Sequence, residues 1–178
     1  MQVIFLCRAP VGKPIISSMI ACHRFQTALG CCELHYSELG IRRLKLRVRS
    51  RTSISRTGQP DWVRRAAALI TRHLAGERVD LDRIQLDLGD LSPFQRRVYT
   101  ALREVSRGST ISYGELAARA GSPRGARAVG SAMACNPVPL LIPCHRVLRA
   151  DGSPGGFSAP GGVRTKEKLL EIEGGVLH

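Results

Sequence analysis

Two segments in the first half of the chain differ in the spacing of their apolar residues. In residues 29–48, apolar and polar positions alternate, which predicts paired strands. In residues 61–74, the apolar positions recur every three or four residues, which predicts a helix. The side chains expected to face inward from this helix are Trp62, Ala66, Leu69 and Ile70. The first half is therefore predicted to combine strands with one helix.

Two capping boxes mark the starts of successive helices in the second half. Ser92 is followed by a proline and then by Gln95, an arrangement that caps a helix and suits its first turn. The core face of this helix is predicted to be Phe94, Val98, Leu102 and Val105. Ser112 and Glu115 form the second box, and Gly121 is placed to end that helix. Two short helices in succession are therefore predicted.

A third helix, predicted over residues 122–134, is nearly free of bulky side chains. Its small residues are Gly125, Ala126, Ala128, Gly130, Ser131 and Ala132. With the helix before it, it forms a helix-turn-helix pattern, which is typical of DNA-reading proteins but also occurs as a packing unit. Such a smooth face can approach another helix or a DNA groove closely, even the minor groove, which is about 6 Å wide. Arg124 and Arg127 rise from this face, and Arg127 can fill a gap in DNA.

The charge balance indicates a nucleic-acid partner. The 178 residues include 27 Lys+Arg and 14 Asp+Glu, which gives a formal net charge of +13. Such an excess favours phosphate binding through counterion release. The densest basic run alternates partly with leucine and valine, as on a half-buried strand, and comprises Arg42, Arg43, Lys45, Arg47, Arg49 and Arg51. We expect nonspecific attraction from this strand and no reading of bases.

Residues 141–147 indicate a reactive cysteine. An apolar run ends in a proline, and Cys144 follows it, beside His145 and Arg146. Basic and cationic neighbours raise the population of the nucleophilic thiolate. Most lone cysteines are nevertheless small buried hydrophobic residues, and successive strand residues point to opposite faces, so adjacency alone creates no hydrogen bond. The segment by itself leaves both interpretations open.

Several motifs occur in one order over the second half. They are Ile-Ser-Tyr at 111–113, Ala-Arg-Ala-Val-Gly at 126–130, Asn-Pro-Val-Pro at 136–139, Pro-Cys-His-Arg at 143–146 and Lys-Leu-Leu-Glu-Ile-Glu-Gly at 168–174. Through these motifs the chain resembles the O6-alkylguanine-DNA alkyltransferases, also called methylated-DNA–protein-cysteine methyltransferases. The resemblance is strong over residues 92–174 and weaker over residues 24–91.

The resemblance implies two structural units. Residues 22–90 are expected to form a small α/β domain of ribonuclease-H-like topology. Residues 91–178 are expected to form a mainly α, winged-helix-like DNA-binding domain that carries the helix-turn-helix and the chemistry. Residues 1–21 match nothing in the family and are expected to be a poorly ordered extension, with Met19 as the native start.

The resemblance also implies a mechanism. The protein would flip an alkylated guanine out of duplex DNA, and Cys144 would take the alkyl group from O6 in a single irreversible turnover, without a cofactor. His145 would act as a base through a water, and Glu173 would orient its imidazole. Tyr113 would assist proton donation to the guanine and contact the neighbouring phosphate. O6-alkylguanine is the expected substrate, and O4-alkylthymine is left open.

The remaining roles implied by the resemblance concern DNA and the base pocket. Arg127 would fill the space left by the flipped base. The surrounding DNA contacts would come from Tyr113, Arg124, Ala126, Ala128 and Gly130. The pocket would be formed by Met133, Asn136, Pro139, Val147, Phe157 and Ser158, with Asn136 tying the third helix to the active-site turn. Phe157 stands where many relatives have tyrosine, so a hydroxyl contact from that position is lost.

Cysteine usage predicts no metal. The six cysteines show no paired Cys-x-x-Cys spacing. Some alkyltransferases hold a structural zinc, but the corresponding positions here are Ser37 and Arg42. A reactive Cys144 requires a reducing compartment. With neither a signal peptide nor a membrane span in the sequence, we expect a cytoplasmic monomer, or one located wherever the genome is held, with alkylated double-stranded DNA as its partner and no obligate protein partner.

Three alternative functions come from other classes. A non-catalytic protein that recognises alkylated DNA would not need Cys144. A winged-helix regulator would need larger side chains for the major groove than the third helix offers. A cysteine hydrolase would need a distant histidine, and His23, His35, His73 and His178 are interpreted as ordinary surface or core residues. The alkyltransferase is therefore favoured.

Overall fold

A three-stranded antiparallel sheet and one helix form the amino-terminal part of the computed structural model, which describes residues 20–48, 58–89 and 91–175. The strands are β1 (Ala21–Thr27), β2 (Gly30–Ser37) and β3 (Gly40–Lys45), in the order β1-β2-β3. Helix α1 (Asp61–Leu74) packs against β1 and has the predicted bounds. Strand β1 was not predicted from the pattern. Of the extension predicted over residues 1–21, residues 1–19 lie outside the described residues, and Ala21 is the first residue of β1.

The basic face predicted for the third strand is confirmed as far as the structure describes it. Leu44 and Leu46 are buried, whereas Arg43, Lys45 and Arg47 are exposed. Arg49 and Arg51 lie outside the described residues.

The inward face of α1 differs from the prediction. The buried residues are Val63, Ala66, Ala67, Ile70, His73 and Leu74. Trp62 and Leu69 are only half-buried, and the Trp62 ring meets Tyr36 edge-on at 5.5 Å between centroids. Because Ala66 and Ala67 are small, the helix backbone lies close to the sheet and the indole is displaced to the rim.

Four helices and a short parallel strand pair form the carboxy-terminal part. The helices are α2 (Pro93–Arg103), α3 (Tyr113–Arg119), α4 (Ala126–Ala134) and α5 (Val163–Glu173), and β4 (Ile111–Ser112) pairs with β5 (Val147–Leu148). Both predicted capping boxes are present, and Gly121 follows α3 with a φ of 72°. None of the described helices is long and apolar enough to cross a membrane.

The third predicted helix begins four residues later than expected. It starts at Ala126, because the N–H of Gly125 donates to the carbonyl of Ser122 at 2.7 Å and closes a turn first. Arg124 therefore lies in this turn and not on the helix.

The two parts of the molecule share one hydrophobic core and meet through polar contacts. The N–H of Leu44 on β3 donates to the carbonyl of Pro137 at 2.9 Å. The Arg47 guanidinium donates to the hydroxyl of Thr165 on α5 at 3.0 Å. Since α1 also contacts α5, and α5 packs against residues 144–146, the amino-terminal part lies against the helix that neighbours Cys144.

Candidate active site

Cys144 lies in a turn that the backbone and one asparagine hold in place. The turn is a single 3₁₀ turn, Cys144–Arg146, directly before β5, and the Cys144 N–H donates to Ile142 O at 2.8 Å. Asn136, which follows α4, donates from Nδ2 to Ile142 O at 2.8 Å and accepts from the Val138 N–H at 3.0 Å. The end of α4 is thereby fixed to the segment that presents the sulfur.

The Cys144 side chain faces a cavity of about 380 Å³, within the range of small-ligand sites. The cavity is lined by Tyr113, Gly130, Met133, Ala134, Cys144, Gly156, Phe157 and Ser158. Tyr113 begins α3, Gly130 and Met133 belong to α4, and Phe157 and Ser158 come from the glycine-rich loop before α5. The sulfur therefore faces a pocket bounded by α3, α4 and this loop.

Three of the predicted pocket residues, Asn136, Pro139 and Val147, are not among those that line this cavity. Asn136 and Pro139 line a neighbouring groove of about 630 Å³, which shares only Ala134 and Ser158 with the Cys144 cavity. Val147 is buried in β5, and its carbonyl accepts a hydrogen bond from Lys166 Nζ.

A buried ionic network lies behind the cysteine. Glu173 accepts two hydrogen bonds from Arg146, at 2.9 Å from Nε and 2.8 Å from Nη2. His145 Nε2 lies 3.0 Å from Glu173 Oε1, although off the line of a well-aligned hydrogen bond. His73 Nε2, on α1, lies 3.2 Å from the same oxygen. The structure thus brings together His145 and Glu173, as the motif suggested, and adds a second histidine that had been assigned to the ordinary core.

Burial sets the protonation states of this group. It raises the pKa of the Cys144 thiol to about 11, although Asn136 and Lys166 lower it in part. Burial also lowers the pKa of His145, which is therefore neutral at pH 7. Burial alone would raise the pKa of Glu173, but contacts with His145, His73 and Arg146 hold it well below its usual range. The resting site is a thiol, a neutral imidazole and a carboxylate.

Lys166 is a further residue of the site that the sequence interpretation missed. It is fully buried on α5, and its ammonium donates to the carbonyls of Val147 and Pro154 and lies 6.0 Å from the centre of the Tyr113 ring. Burial lowers its pKa to about 8, while the nearby Cys144 opposes this change. A sequence signal existed, because Lys166 lies seven residues before Glu173 and so shares the buried face of α5.

Replacing Lys166 by methionine is expected to destabilise the protein by about 2–6 kcal/mol. The change leaves two buried carbonyls without their donor, and each unsatisfied group costs about 1–3 kcal/mol. Urea unfolding measures the loss. Lys168→Met, which removes an exposed pair with Glu171 on the same helix, is the matched control and should change stability by less than about 1 kcal/mol. Equal effects of the two substitutions would contradict this assignment.

The predicted DNA-contacting residues of the Ser122–Gly125 turn and of α4 are exposed or half-buried. Arg124, Arg127 and Ala128 are exposed, and Ala126 and Gly130 are half-buried. Gly130, which lines the cavity, is three residues beyond Arg127 and so lies on the same side of α4. One helix face therefore runs from an exposed arginine to the wall around the sulfur.

One group of side chains in the described ranges has metal-ligand chemistry. Cys22, Glu33 and His35 place their ligand atoms within 4.8 Å of one another on the sheet. Arg24 and Lys45 both form ion pairs with Glu33, at 2.6 and 3.2 Å, and these cations oppose a metal ion. We assign no metal site to this group.

The chain is similar to known proteins over a longer stretch than the site alone. Residues 93–175 match the family described as 6-O-methylguanine DNA methyltransferase, DNA binding domain. The methylated-DNA–protein-cysteine methyltransferase of Methanothermobacter thermautotrophicus is 47% identical over 116 residues, which are 65% of this chain and 63% of that protein. The enzyme of the same name from Mycolicibacterium paratuberculosis is 43% identical over 122 residues, 67% of this chain and 72% of that protein. The chain belongs to the methylated-DNA–protein-cysteine methyltransferase family.

A solved structure of a family member covers both parts of the fold. The crystal structure of Mycobacterium tuberculosis OGT in complex with DNA has a TM-score of 0.70 and 32% sequence identity, over 85% of this chain and 92% of that chain. The small antiparallel sheet and the helices described above are therefore the fold of this methyltransferase family.

Proposed function

We propose that this protein repairs DNA by transferring the alkyl group of O6-alkylguanine to its own Cys144. The observation that carries the proposal is the position of the Cys144 sulfur, in a cavity whose wall is the helix that exposes Arg127, with His145 and Glu173 buried behind it. Family membership supports the same activity. Cys144 distinguishes this function from recognition of alkylated DNA without chemistry, which needs no nucleophile.

The protonation states suggest how the step proceeds. With a pKa of about 11, roughly one Cys144 in ten thousand is a thiolate at pH 7, so proton removal accompanies transfer. His145 is a neutral base next to the cysteine in the chain and takes the proton, directly or through a water. The sulfur–carbon bond forms as the carbon–O6 bond breaks, and the electron pair of the broken bond stays on the guanine. The proton passes to the guanine, and Tyr113, in the cavity wall, is placed to assist.

The product is a thioether, which the residues of the site have no means to cleave. Each molecule therefore reacts once, and no cofactor takes part, because the alkyl carbon carries its own leaving group. The Lys166 ammonium lowers the pKa of Cys144 and so favours the developing thiolate.

The DNA partner is proposed from charge and shape. The formal charge of +13 favours phosphate binding, and α3 and α4 present Tyr113, Arg127 and the small residues of α4 around the cavity entrance. Flipping a base costs a few kcal/mol, and insertion of Arg127 into the vacated stack offsets part of that cost. Arg124, in the turn before α4, is placed for a phosphate contact. The related structure from M. tuberculosis was solved in complex with DNA, which supports DNA as the partner.

The finer architecture is part of the proposal. We infer a ribonuclease-H-like domain over residues 22–90, a winged-helix-like domain over residues 91–178, and an extension before them. The protein would act as a monomer without an obligate protein partner, in the reducing compartment that holds the genome.

A stoichiometric repair assay tests the function. A duplex with one O6-methylguanine is incubated with increasing amounts of protein, and the remaining modified base is measured by chromatography after digestion of the DNA. We expect one base repaired per protein molecule, with no further turnover on prolonged incubation. Continued repair beyond this ratio, or DNA binding without repair, would contradict the proposal.

A further inference from the structure

The carboxylate of Glu173 contacts two histidines, one of which comes from the amino-terminal part of the molecule. His73 on α1 and His145 beside the cysteine both place Nε2 against Oε1 of Glu173, at 3.2 and 3.0 Å. The side chains of these three residues are at most 3% exposed. We propose that His73 is a positioning residue for alkyl transfer, which acts by fixing Glu173 and through it the tautomer of His145. The inference rests on the proposed function for its kinetic consequence.

The ionised carboxylate determines the tautomers of the two rings. A carboxylate only accepts hydrogen bonds, so an imidazole that faces it through Nε2 carries its proton there. The Nδ1 atom of each ring is then the acceptor, and both Nδ1 atoms are buried without a partner among the described residues. In His145, Nδ1 is therefore the nitrogen that is free to take the proton of Cys144.

Three contacts hold the carboxylate in one orientation. Arg146 binds both oxygens, and the N–H of Gly108 lies 3.5 Å from Oε2. His73 is the contact on Oε1 that comes from outside the carboxy-terminal part. Without it, Oε1 has only Arg146 and His145 as neighbours, and rotation of the carboxyl group releases the imidazole. Groups that orient a catalytic histidine in this way are typically worth about 10–100-fold in activity at metal sites.

His73 has other charged groups near it, and the variants used to test its role must leave these groups unchanged. Behind the network, a cavity of about 250 Å³ is lined by His73 and Arg146 and, among charged side chains, by Asp80, Asp82, Arg103, Glu104 and Arg107. His145 and Glu173 face His73 from the other side. Every variant below keeps all of these groups, so a change in pH dependence reports the loss of the His73 contact.

Three substitutions separate the hydrogen bond from the volume of the ring. The amide nitrogen of glutamine reaches the position of Nε2, whereas that of asparagine does not, and methionine fills the space without a donor. We expect His73→Gln to keep the single-turnover rate constant for O6-methylguanine within about threefold of the unchanged protein. We expect His73→Asn and His73→Met to lower it by about tenfold or more.

The pH dependence of the transfer rate, measured from about pH 5 to 9, is not expected to change when only packing is lost. Burial lowers the pKa of His145 and Glu173 opposes this change, so release of the imidazole from Glu173 lowers that pKa further. The acid limb of the rate profile is therefore expected to move to lower pH in His73→Asn and His73→Met, and to stay in place in His73→Gln. Urea unfolding of each variant identifies rate changes that arise only from loss of folded protein.

The ring nitrogens of His145 provide a test that needs no activity. Long-range ¹H–¹⁵N spectra should show His145 protonated at Nε2 in the unchanged protein and in His73→Gln, and a mixture of tautomers in His73→Asn. Identical tautomers, rates and pH profiles in all variants would overturn the proposal, as would equal rate losses in the glutamine and asparagine variants. If the unchanged protein transfers no methyl group, the proposed function fails, while the tautomer comparison still decides the role of His73.

Discussion

Replacing Cys144 by alanine is expected to abolish methyl transfer and to leave binding to duplex DNA unchanged. The sulfur is the only atom of Cys144 that forms the new bond, whereas the charged surface and the α3–α4 pair that meet DNA do not depend on it. The measurement is transfer of radiolabelled methyl from an O6-methylguanine duplex, together with a binding titration at fixed salt, because salt sets phosphate affinity.

The matched controls are Cys22→Ala and Cys31→Ala, which replace free cysteines on the amino-terminal sheet. Both variants should retain full transfer, because these side chains are distant from the cavity in the fold. Radiolabel on the Cys144→Ala protein, or loss of radiolabel in either control, would contradict the assignment of Cys144 as the methyl acceptor.

Replacing Arg146 by methionine is expected to destabilise the protein by about 3–5 kcal/mol, the cost of leaving one partner of a buried ion pair uncompensated. Arg146 makes two hydrogen bonds to Glu173 and donates from Nη1 to the carbonyl of Val105 at 2.5 Å. Urea unfolding at pH 7 measures the loss. The exposed pair Lys168–Glu171 on α5 is the comparison, and Lys168→Met should cost less than about 1 kcal/mol. A small and equal effect in both variants would contradict the buried network.

The same substitution changes how stability depends on pH. The pKa of Glu173 in the folded protein lies below its ordinary value of 4.5, so its stabilising contribution is complete above that pH and is lost as pH falls towards the folded pKa. Arg146→Met raises the folded pKa of Glu173 towards its ordinary value. The free energy of unfolding should therefore fall less steeply below about pH 4.5 in the variant than in the unchanged protein, as measured by unfolding at a series of pH values.

Local signals in the sequence predicted the helices well. The two capping boxes and the glycine after α3 act through hydrogen bonds and backbone angles of neighbouring residues, so their outcome is independent of the rest of the fold. The start of α4 was misplaced because Ser122 and Pro123 resemble a helix start, while the Ser122–Gly125 turn uses those groups first. The inward face of α1 depended on how closely the helix approaches the sheet, which is a tertiary property.

The sequence indicated Cys144 as the candidate nucleophile, but much of the environment of this residue was not predictable from the sequence. Cys144 and His145 stand in one motif, and Glu173 in another, so the resemblance placed them together. His73 and Lys166 belong to none of the family motifs in the sequence, and they join the site only through the packing of α1 and α5. Pro139 lies five residues before the cysteine, yet a turn directs it to the neighbouring groove. Proximity in the chain is therefore a poor guide to the lining of this cavity.

Intact-protein mass spectrometry after reaction with an O6-methylguanine duplex tests the central claim most directly. The account predicts one stable methyl adduct per protein, mapped by peptide digestion to Cys144, and no adduct with the unmodified duplex. An adduct on another residue, or none while the modified DNA stays bound, would contradict transfer to Cys144, and the second result would indicate a protein that recognises the lesion without repairing it.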